Sequence, residues 1–407
     1  MRWVSGRPVW TQLTPIPVQY RYLAEDLSAD VVIIGGGITG ALTAYCMAKA
    51  GIRAAVLDRG PVGYNSTRTS TAILQYEIDT NLLGLQGLYG TGKAVRAFKL
   101  CEEAVAAVGQ IVRELDDPCD FRPVPCLYYT ESPSDVEQMR REFELRQAHG
   151  FAVAFRGRTA LPVPCEAGIY STRGAAVIDP YRFTHALLRY AAEHGVTIYE
   201  NTEVTEISPG EKEVRMATAN GFRIRAGRVV VASGYAAREY IEQRTALLTR
   251  SFAIVTRPVP EVPGWRDRCI IRDNKQVYTY LRPMPGERIL IGGEDLDVGS
   301  DRSAVAQLSG DDPISDRQYR RLLERLNRLF PILALTEDDI EFRFSGIFAD
   351  TKDSLPYIGP YDPMPGCLFN LGYGANGILY NLIGGRLLTE LCLGRPSPDL
   401  ELFAFDR

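Results

Sequence analysis

The 407-residue sequence predicts an α/β protein in which a Rossmann-like unit is combined with an α+β unit built on an antiparallel sheet. Three observations predict it. A strand, a glycine turn, a helix and a second strand follow one another between Ala29 and Gly60. The middle of the chain reads as strands with a tight hairpin. Near the end, a strand at Cys367 to Leu371, a glycine turn and a helix from Ile378 to Leu393 repeat the first pattern.

Taken in order, "MRWVSGRPVWTQLTPIPVQYRYLAEDL" lacks the continuous apolar core of a signal peptide. Its Pro, Trp and Tyr content predicts an extended arm packed on the body. In "ADVVIIGGGITGALTAYCMAKAGIRAAVLDRG", Val31 to Ile34 form an apolar run suited to a strand buried on both faces. Gly35, Gly37 and Gly40 then fit G-x-G-x-x-G. A helix from Ile38 to Ala50 stops at Gly51, and a strand from Ala54 to Leu57 ends at Asp58.

That order of elements is a dinucleotide site. Gly35 permits the turn, Gly37 lets the backbone approach a pyrophosphate, and Gly40 lets helix and sheet pack closely. The helix start at Ile38 and Thr39 offers N–H groups and a positive dipole end to the phosphates. Asp58 lies 58 − 40 = 18 residues past the last glycine, near the offset of a ribose-binding acid, with Arg59 beside it. An acid there argues against a 2′-phosphate, hence against NADP, but leaves NAD and FAD open.

Bulk composition narrows the function further. Net charge is 46 − 50 = −4 without a long run of one sign, which disfavours a nucleic-acid partner. The Arg-rich stretch "DRQYRRLLERLNRLF" reads as an amphipathic helix with a solvated charged face. Eight cysteines form no CxxC, and three histidines form no zinc-type cluster, so buried reduced thiols in a cytoplasmic protein are expected. The apolar stretch Val31 to Ala50 is broken by glycines and Lys49, which argues against a membrane span.

"RGPVGYNSTRTSTAILQYEID" is either a solvent-exposed loop or one whose Ser66, Thr67, Thr69, Ser70 and Thr71 hydrogen-bond a ligand. Asp179 and Pro180 cap a helix that ends at Gly195, with His185 packed among Phe183, Leu187 and Leu188. Asn220-Gly221 marks a hairpin leading into "GRVVVASGY", a strand that ends in Ala232, Ser233 and Gly234. "FRPVPCLYYTES" and "SFAIVTRPVP" read as strands, and "KQVYTYLRPMPGERILIGGED" as a hairpin turning at Pro285-Gly286. By composition, "SGIFADTKDSLPYIG" (Ser345 to Gly359) is a loop.

These segments together resemble the FAD-dependent amine and amino-acid oxidases, a family that includes D-amino-acid oxidase, glycine oxidase and sarcosine oxidase. "GGGITG" with Asp58 resembles the family's ADP site, and Asn65 to Thr71 the loop over the pyrophosphate and flavin. Val204 stands where the family's backbone meets the adenine, and "VVVASG" resembles its second dinucleotide segment. "SGIFADTKDSLPYIG" and "NLGYGANGILYNLIGGRLLTEL" resemble its C-terminal flavin segments, which brings in Gly346, Gly372, Gly374, Ala375, Asn376, Gly377 and Ile378. The resemblance implies a discontinuous FAD-binding domain, residues 1–92, 165–245 and 343–407. A substrate domain of residues 93–164 and 246–342 is interleaved with it.

It also implies hydride transfer from the carbon next to an amine nitrogen to flavin N5, then imine hydrolysis, with dioxygen as the expected oxidant. No protein acid or base is needed if the amine binds neutral. A flavin dehydrogenase passing electrons to a quinone or partner protein, and a non-catalytic flavoprotein subunit, are the alternatives. Three departures bear on the substrate and the cofactor. Glycine oxidase carries arginines that grip the substrate carboxylate where this chain has Phe348 and Ala375. Either the substrate lacks a free α-carboxylate, or another cation such as Arg282 or Lys275 serves; both are equally readable as surface charges. Gly346 stands where sarcosine oxidases carry the Cys bonded to flavin, so FAD is expected to be non-covalent. Leu290 stands near their oxygen-activating Lys. Tyr373, Tyr278 and Tyr280 are candidate pocket aromatics, the last two equally readable as core.

Overall fold

The computed structural model describes residues 4–158, 163–241, 246–298 and 312–407; the expected boundary at residue 245 lies outside them. A mixed eight-stranded sheet is centred on Leu27–Ile34. Its apolar half, Val31 to Ile34, pairs in parallel with Ala54–Leu57 on one side and Arg223–Val231 on the other. Thr197–Tyr199 extends the parallel order beyond Ala54–Leu57. The last residues of Arg223–Val231 pair in parallel with Cys367–Leu371, whose far side is closed by antiparallel Tyr357–Pro360. The Asn220-Gly221 turn joins Val214–Thr218 to Arg223–Val231, with Gly221 at φ 85°. Helices Ile38–Lys49, Pro180–Glu193 and Gly377–Cys392 pack together on this sheet, because their small and aliphatic residues face it.

A nine-stranded, largely antiparallel sheet makes the second layer system. Its order is Val4–Gly6, Ile340–Asp350, Leu247–Thr256, Arg288–Asp297, Tyr280–Met284, Ile270–Asp273, Cys126–Thr130, Ala167–Ser171 and Val153–Gly157. Ser345 to Asp350 is therefore strand, which corrects the reading of that stretch as a loop. Its apolar residues alternate toward a core, and tertiary pairing overrides its turn-forming composition. Helix Pro313–Leu329 lays Tyr319, Leu322, Leu326 and Leu329 on this sheet. Arg325 departs from the expected solvated face. It is buried, and bonds Asp273 at 2.8 Å and Glu131 at 2.9 Å.

The N-terminal arm packs as expected, with one helical turn at Trp10–Leu13. Val4–Gly6 pairs with Ile340–Asp350, and buried Trp10 donates its indole N–H to Ser70 O at 2.8 Å. Arg250 ties the arm to the sheet, donating to Ser5 Oγ at 3.0 Å and Ser345 Oγ at 2.9 Å. Gly90 (φ 76°, ψ 164°) is non-helical and divides Leu82–Glu114 into two helical pieces, close to the expected boundary at residue 92. Ala167–Ser171 and Ile340–Asp350 stand in the nine-stranded sheet, although the expected division assigns 165–245 and 343–407 to the cofactor unit. All eight cysteines are free and seven are buried. Among the described residues, no helix is long and apolar enough to cross a membrane.

Candidate active site

The glycine turn is built as its sequence requires. Gly35 adopts φ 112°, a region that disfavours residues with a Cβ. A Cβ on Gly40 would lie 1.8 Å from Gly35 O, so the helix can approach the strand only with glycine there. Asp58 is buried and both its oxygens accept backbone N–H groups, from Gly36 at 2.7 Å and Gly60 at 2.8 Å. Burial raises its carboxyl pKa and those two N–H groups lower it, for a net rise. Asp58 thus pins the turn, with a lone pair on each oxygen left for a ligand.

The Ser/Thr stretch folds as a short 3₁₀ helix, Ser66–Thr69, against this turn. Thr67 Oγ1 accepts the Ile38 N–H at 3.0 Å, so one of the N–H groups expected to face phosphate is already bonded. Thr69 lies against Gly346, where a Cβ would come within 2.8 Å of its hydroxyl. One continuous cavity runs past Gly35, Gly37, Ile38, Thr39 and Asp58 to Ser66, Thr67, Thr69, Ser70 and Thr71. It continues along Ala232, Ser233 and Gly234, then Gly346 and Phe348, and reaches Gly372 through Ile378. Gly372 is required there, since a Cβ would meet Asn381 Oδ1 at 2.0 Å. Tyr373, buried, stacks on Tyr235 with ring centroids 5.7 Å apart.

Four predicted residues lie away from this cavity. Gly40 is beneath the turn, Arg59 is exposed, and Val204 is buried in a core with Leu57 and Tyr199. Arg282 is fully buried and donates to four backbone oxygens, Thr71 and Ile178 at 3.0 Å, Ala72 at 2.8 Å and its neighbour Pro283 at 3.1 Å. It braces the loop from behind, and burial brings its pKa down to about 9. Neither a substrate clamp nor a surface charge describes it. Lys275, the other expected clamp, is partly exposed and pairs with Glu131 at 3.2 Å.

The cavity's inner end holds Tyr278 and Tyr280 with Phe348, and two charged groups that sequence reasoning missed: Arg272 and Asp295. Arg272 is 7% exposed and forms an ion pair with Asp79 at 2.8 Å. Its guanidinium lies 4.0 Å over the Tyr278 ring, and its Nε has no hydrogen-bond partner. Burial disfavours its charge, but Asp79, Tyr278 and Tyr128 hold it protonated above its ordinary value. Asp295 carries a buried Oδ1 without a partner, and burial pushes its carboxyl up to about 6. The only signals in the sequence were an Arg inside the apolar strand "IIRD" and the acids after "IGG". Gly292 makes room for the Tyr280 ring, since a Cβ there would lie 2.5 Å from the Tyr280 hydroxyl.

The family model described as DAO, FAD dependent oxidoreductase, matches residues 30–391. The chain belongs to this family. Glycine oxidase of Geobacillus kaustophilus is 26% identical over 397 residues, covering 93% of this chain and 97% of that protein. A putative Rieske 2Fe-2S iron-sulfur protein of Bacillus subtilis is 23% identical over 98% of this chain and 75% of its own length. The crystal structure of the Geobacillus glycine oxidase superposes with TM-score 0.75 at 22% identity, over 94% of this chain and 99% of that one. L-proline dehydrogenase from P. horikoshii superposes with TM-score 0.76 at 19% identity, over 93% and 97%. At these identities the structural likeness establishes the fold.

The residues present fit the family's FAD. Ser233 Oγ and Asn376 Oδ1 are buried at the cavity without hydrogen-bond partners, and each can serve a polar ligand edge. The glycines at 35 and 372 are positions that a Cβ would fill with clashes, 2.5 Å from Ala232 O in the first case. Two helix N-termini, at Ile38 and Gly377, reach the same cavity.

Proposed function

We propose that this FAD-dependent oxidoreductase oxidises the C–N bond of an amine or amino acid. The observation that carries the reading is the continuity of one cavity, from the glycine turn at Gly35 to an inner end framed by Phe348, Tyr278, Tyr280, Arg272 and Asp295. Names of relatives support it, glycine oxidase among them, as does gamma-glutamylputrescine oxidoreductase of Escherichia coli at 22% identity over 91% of this chain. Bound there, FAD supplies the two-electron acceptor for hydride leaving the carbon beside nitrogen, the imine then hydrolysing in water and dioxygen serving as final oxidant.

The chain's own contribution is holding and orienting. Gly35, Gly37 and the helix start at Ile38 and Thr39 would hold the pyrophosphate, the Ile38 N–H itself being taken by Thr67, and Asp58 would hold the ribose. Ser233, Asn376 and the Gly377 helix start face the flavin end. Phe348 and the tyrosines exclude water from the reacting carbon and fix its approach. The cofactor is non-covalent in this reading, because among the described residues no Cys or His lines the cavity. We also propose the interleaved two-unit division with the mixed sheet as the cofactor unit, and a cytoplasmic location, which the free cysteines support.

Anaerobic mixing of the yellow holoprotein with a panel of amines and amino acids tests the reading. Bleaching by at least one nitrogen-bearing substrate is expected, with recolouring in air within the turnover time. Slow recolouring that a quinone accelerates would instead assign a dehydrogenase. No bleaching across the panel would refute amine oxidation.

A further inference from the structure

The cavity's charges do not balance. Arg272 is the only Lys or Arg among its described lining residues, and Asp79 already neutralises it at 2.8 Å. The two positions expected to supply a carboxylate clamp, Phe348 and Ala375, line the cavity with uncharged groups. Asp295 has no such compensation. It joins no ion pair among the described residues, and its buried Oδ1 accepts no hydrogen bond.

The surroundings of Asp295 are set by the sheet register. Arg272 pairs with Tyr280, and Tyr280 with Gly292, so these three stand side by side across adjacent strands. Asp295 follows Gly292 by three residues on the same strand. Close to it are the Tyr280 phenol on the neighbouring strand and the Ser251 hydroxyl on the strand on its other side, both of which interact with its carboxyl. Asp79 and Glu294 are nearby but each has a cation of its own, Arg272 at 2.8 Å and Arg321 at 3.6 Å, whereas Asp350, on the strand beyond Ser251, adds a carboxyl with no ion pair among the described residues. With Arg272 matched by Asp79, the sum at the inner end is negative. A desolvated, uncompensated carboxylate beside an aromatic ring favours a cation.

Resting on the amine-oxidising reading above, we propose that Asp295 anchors the ammonium of a substrate that bears no carboxylate beside its nitrogen, and accepts its proton so that the neutral amine's lone pair is free when hydride leaves the adjacent carbon. The substrate class is thus an alkylamine rather than an α-amino acid. Asp295 is a specificity-determining residue, with Tyr280 covering the bound nitrogen's other side. The pKa of about 6 given to its carboxyl by burial agrees with this, since a bound cation relieves that penalty. Binding of a fixed positive charge then strengthens as pH rises through 6, where the free carboxyl ionises.

Three ligands built on one fully substituted carbon, none with a hydrogen on that carbon, separate the possibilities without turnover. They are tert-butylammonium, pivalate and 2-methylalanine, titrated into the holoprotein by calorimetry and by the change in flavin absorbance. The expected order has tert-butylammonium at least about tenfold tighter than the other two. Asp295→Asn should weaken it by about 10–100-fold, the range of a charged hydrogen bond, and remove the pH dependence near 6. Asp295→Glu should restore part of the affinity. Flavin content and thermal midpoint of each variant establish that it is folded. Pivalate or 2-methylalanine binding as tightly as the ammonium, no binding of the ammonium, or an unchanged affinity in Asp295→Asn would each overturn the proposal. Failure of the amine-oxidising reading is distinguishable, because it leaves the flavin unbleached by every amine and amino acid whatever the binding order.

Discussion

His185 sits 1% exposed on helix Pro180–Glu193, edge-on to Tyr181, and neither ring nitrogen has a hydrogen-bond partner. Burial, aided by Arg189, depresses its pKa to about 4. The unfolded chain protonates it near 6.5, so between those values the unfolded state binds the extra proton and stability falls as pH falls. The loss grows from about pH 6.5 and reaches about 3 kcal/mol near pH 4. Denaturant unfolding at a series of pH values should show it, and His185→Phe should flatten the slope across that window. Packing rather than catalysis was legible here from the neighbouring Phe183, Leu187 and Leu188. Arg272 and Arg282 were not separable in the same way, Arg282 lying inside the predicted hairpin and Arg272 just before it. Which of them meets a cavity depends on the face each strand presents and on what covers that face. Arg282 points to the carbonyls of Thr71, Ala72 and Ile178 behind the loop, whereas Arg272 lies over Tyr278.

Among elements, the start of helix Ile38–Lys49 tolerates the least change. Gly40→Ala places a methyl 1.8 Å from a backbone carbonyl, which no side-chain rotation relieves. The variant should purify with several-fold less flavin per chain, read from the ratio of visible to ultraviolet absorbance, and with far-ultraviolet circular dichroism largely retained. This element was readable from sequence because strand, turn and helix are contiguous, and each glycine answers to a local contact. The arm at Val4–Gly6 was readable only as an arm. Its partner strand begins at Ile340, and no local pattern carries that pairing. The stretch from Ser345 to Asp350 was misread by composition for the same reason, since its strand character comes from two neighbours distant in sequence.

For the molecule as a whole, the family's cofactor couples to stability by mass action. A ligand bound to the folded state alone adds about 2.7 kcal/mol at 100 times its dissociation constant. Flavin stripped with chaotrope should lower the thermal midpoint, and added FAD should restore it in a concentration-dependent way. Acid precipitation should leave the yellow colour in the supernatant. Colour in the pellet would show a covalent bond, against the Gly346 reading. The two large sheets were legible in outline, through parallel runs at both ends and antiparallel runs between. The ends of the two units were less so: strand Ile340–Asp350 runs past an expected boundary, while the helical break at Gly90 falls close to another.

The cavity draws its walls from Gly35 at one extreme of the chain and Ile378 at the other. On a ribosome the glycine turn therefore emerges hundreds of residues before the helix Gly377–Cys392 that completes its pocket. The nascent chain must keep the apolar strand Val31 to Ile34 from aggregating while its eventual neighbours at Arg223–Val231 are still unmade. Cofactor capture becomes a late, post-translational event, and a chain stopped short of residue 377 would be colourless however well its first half had folded.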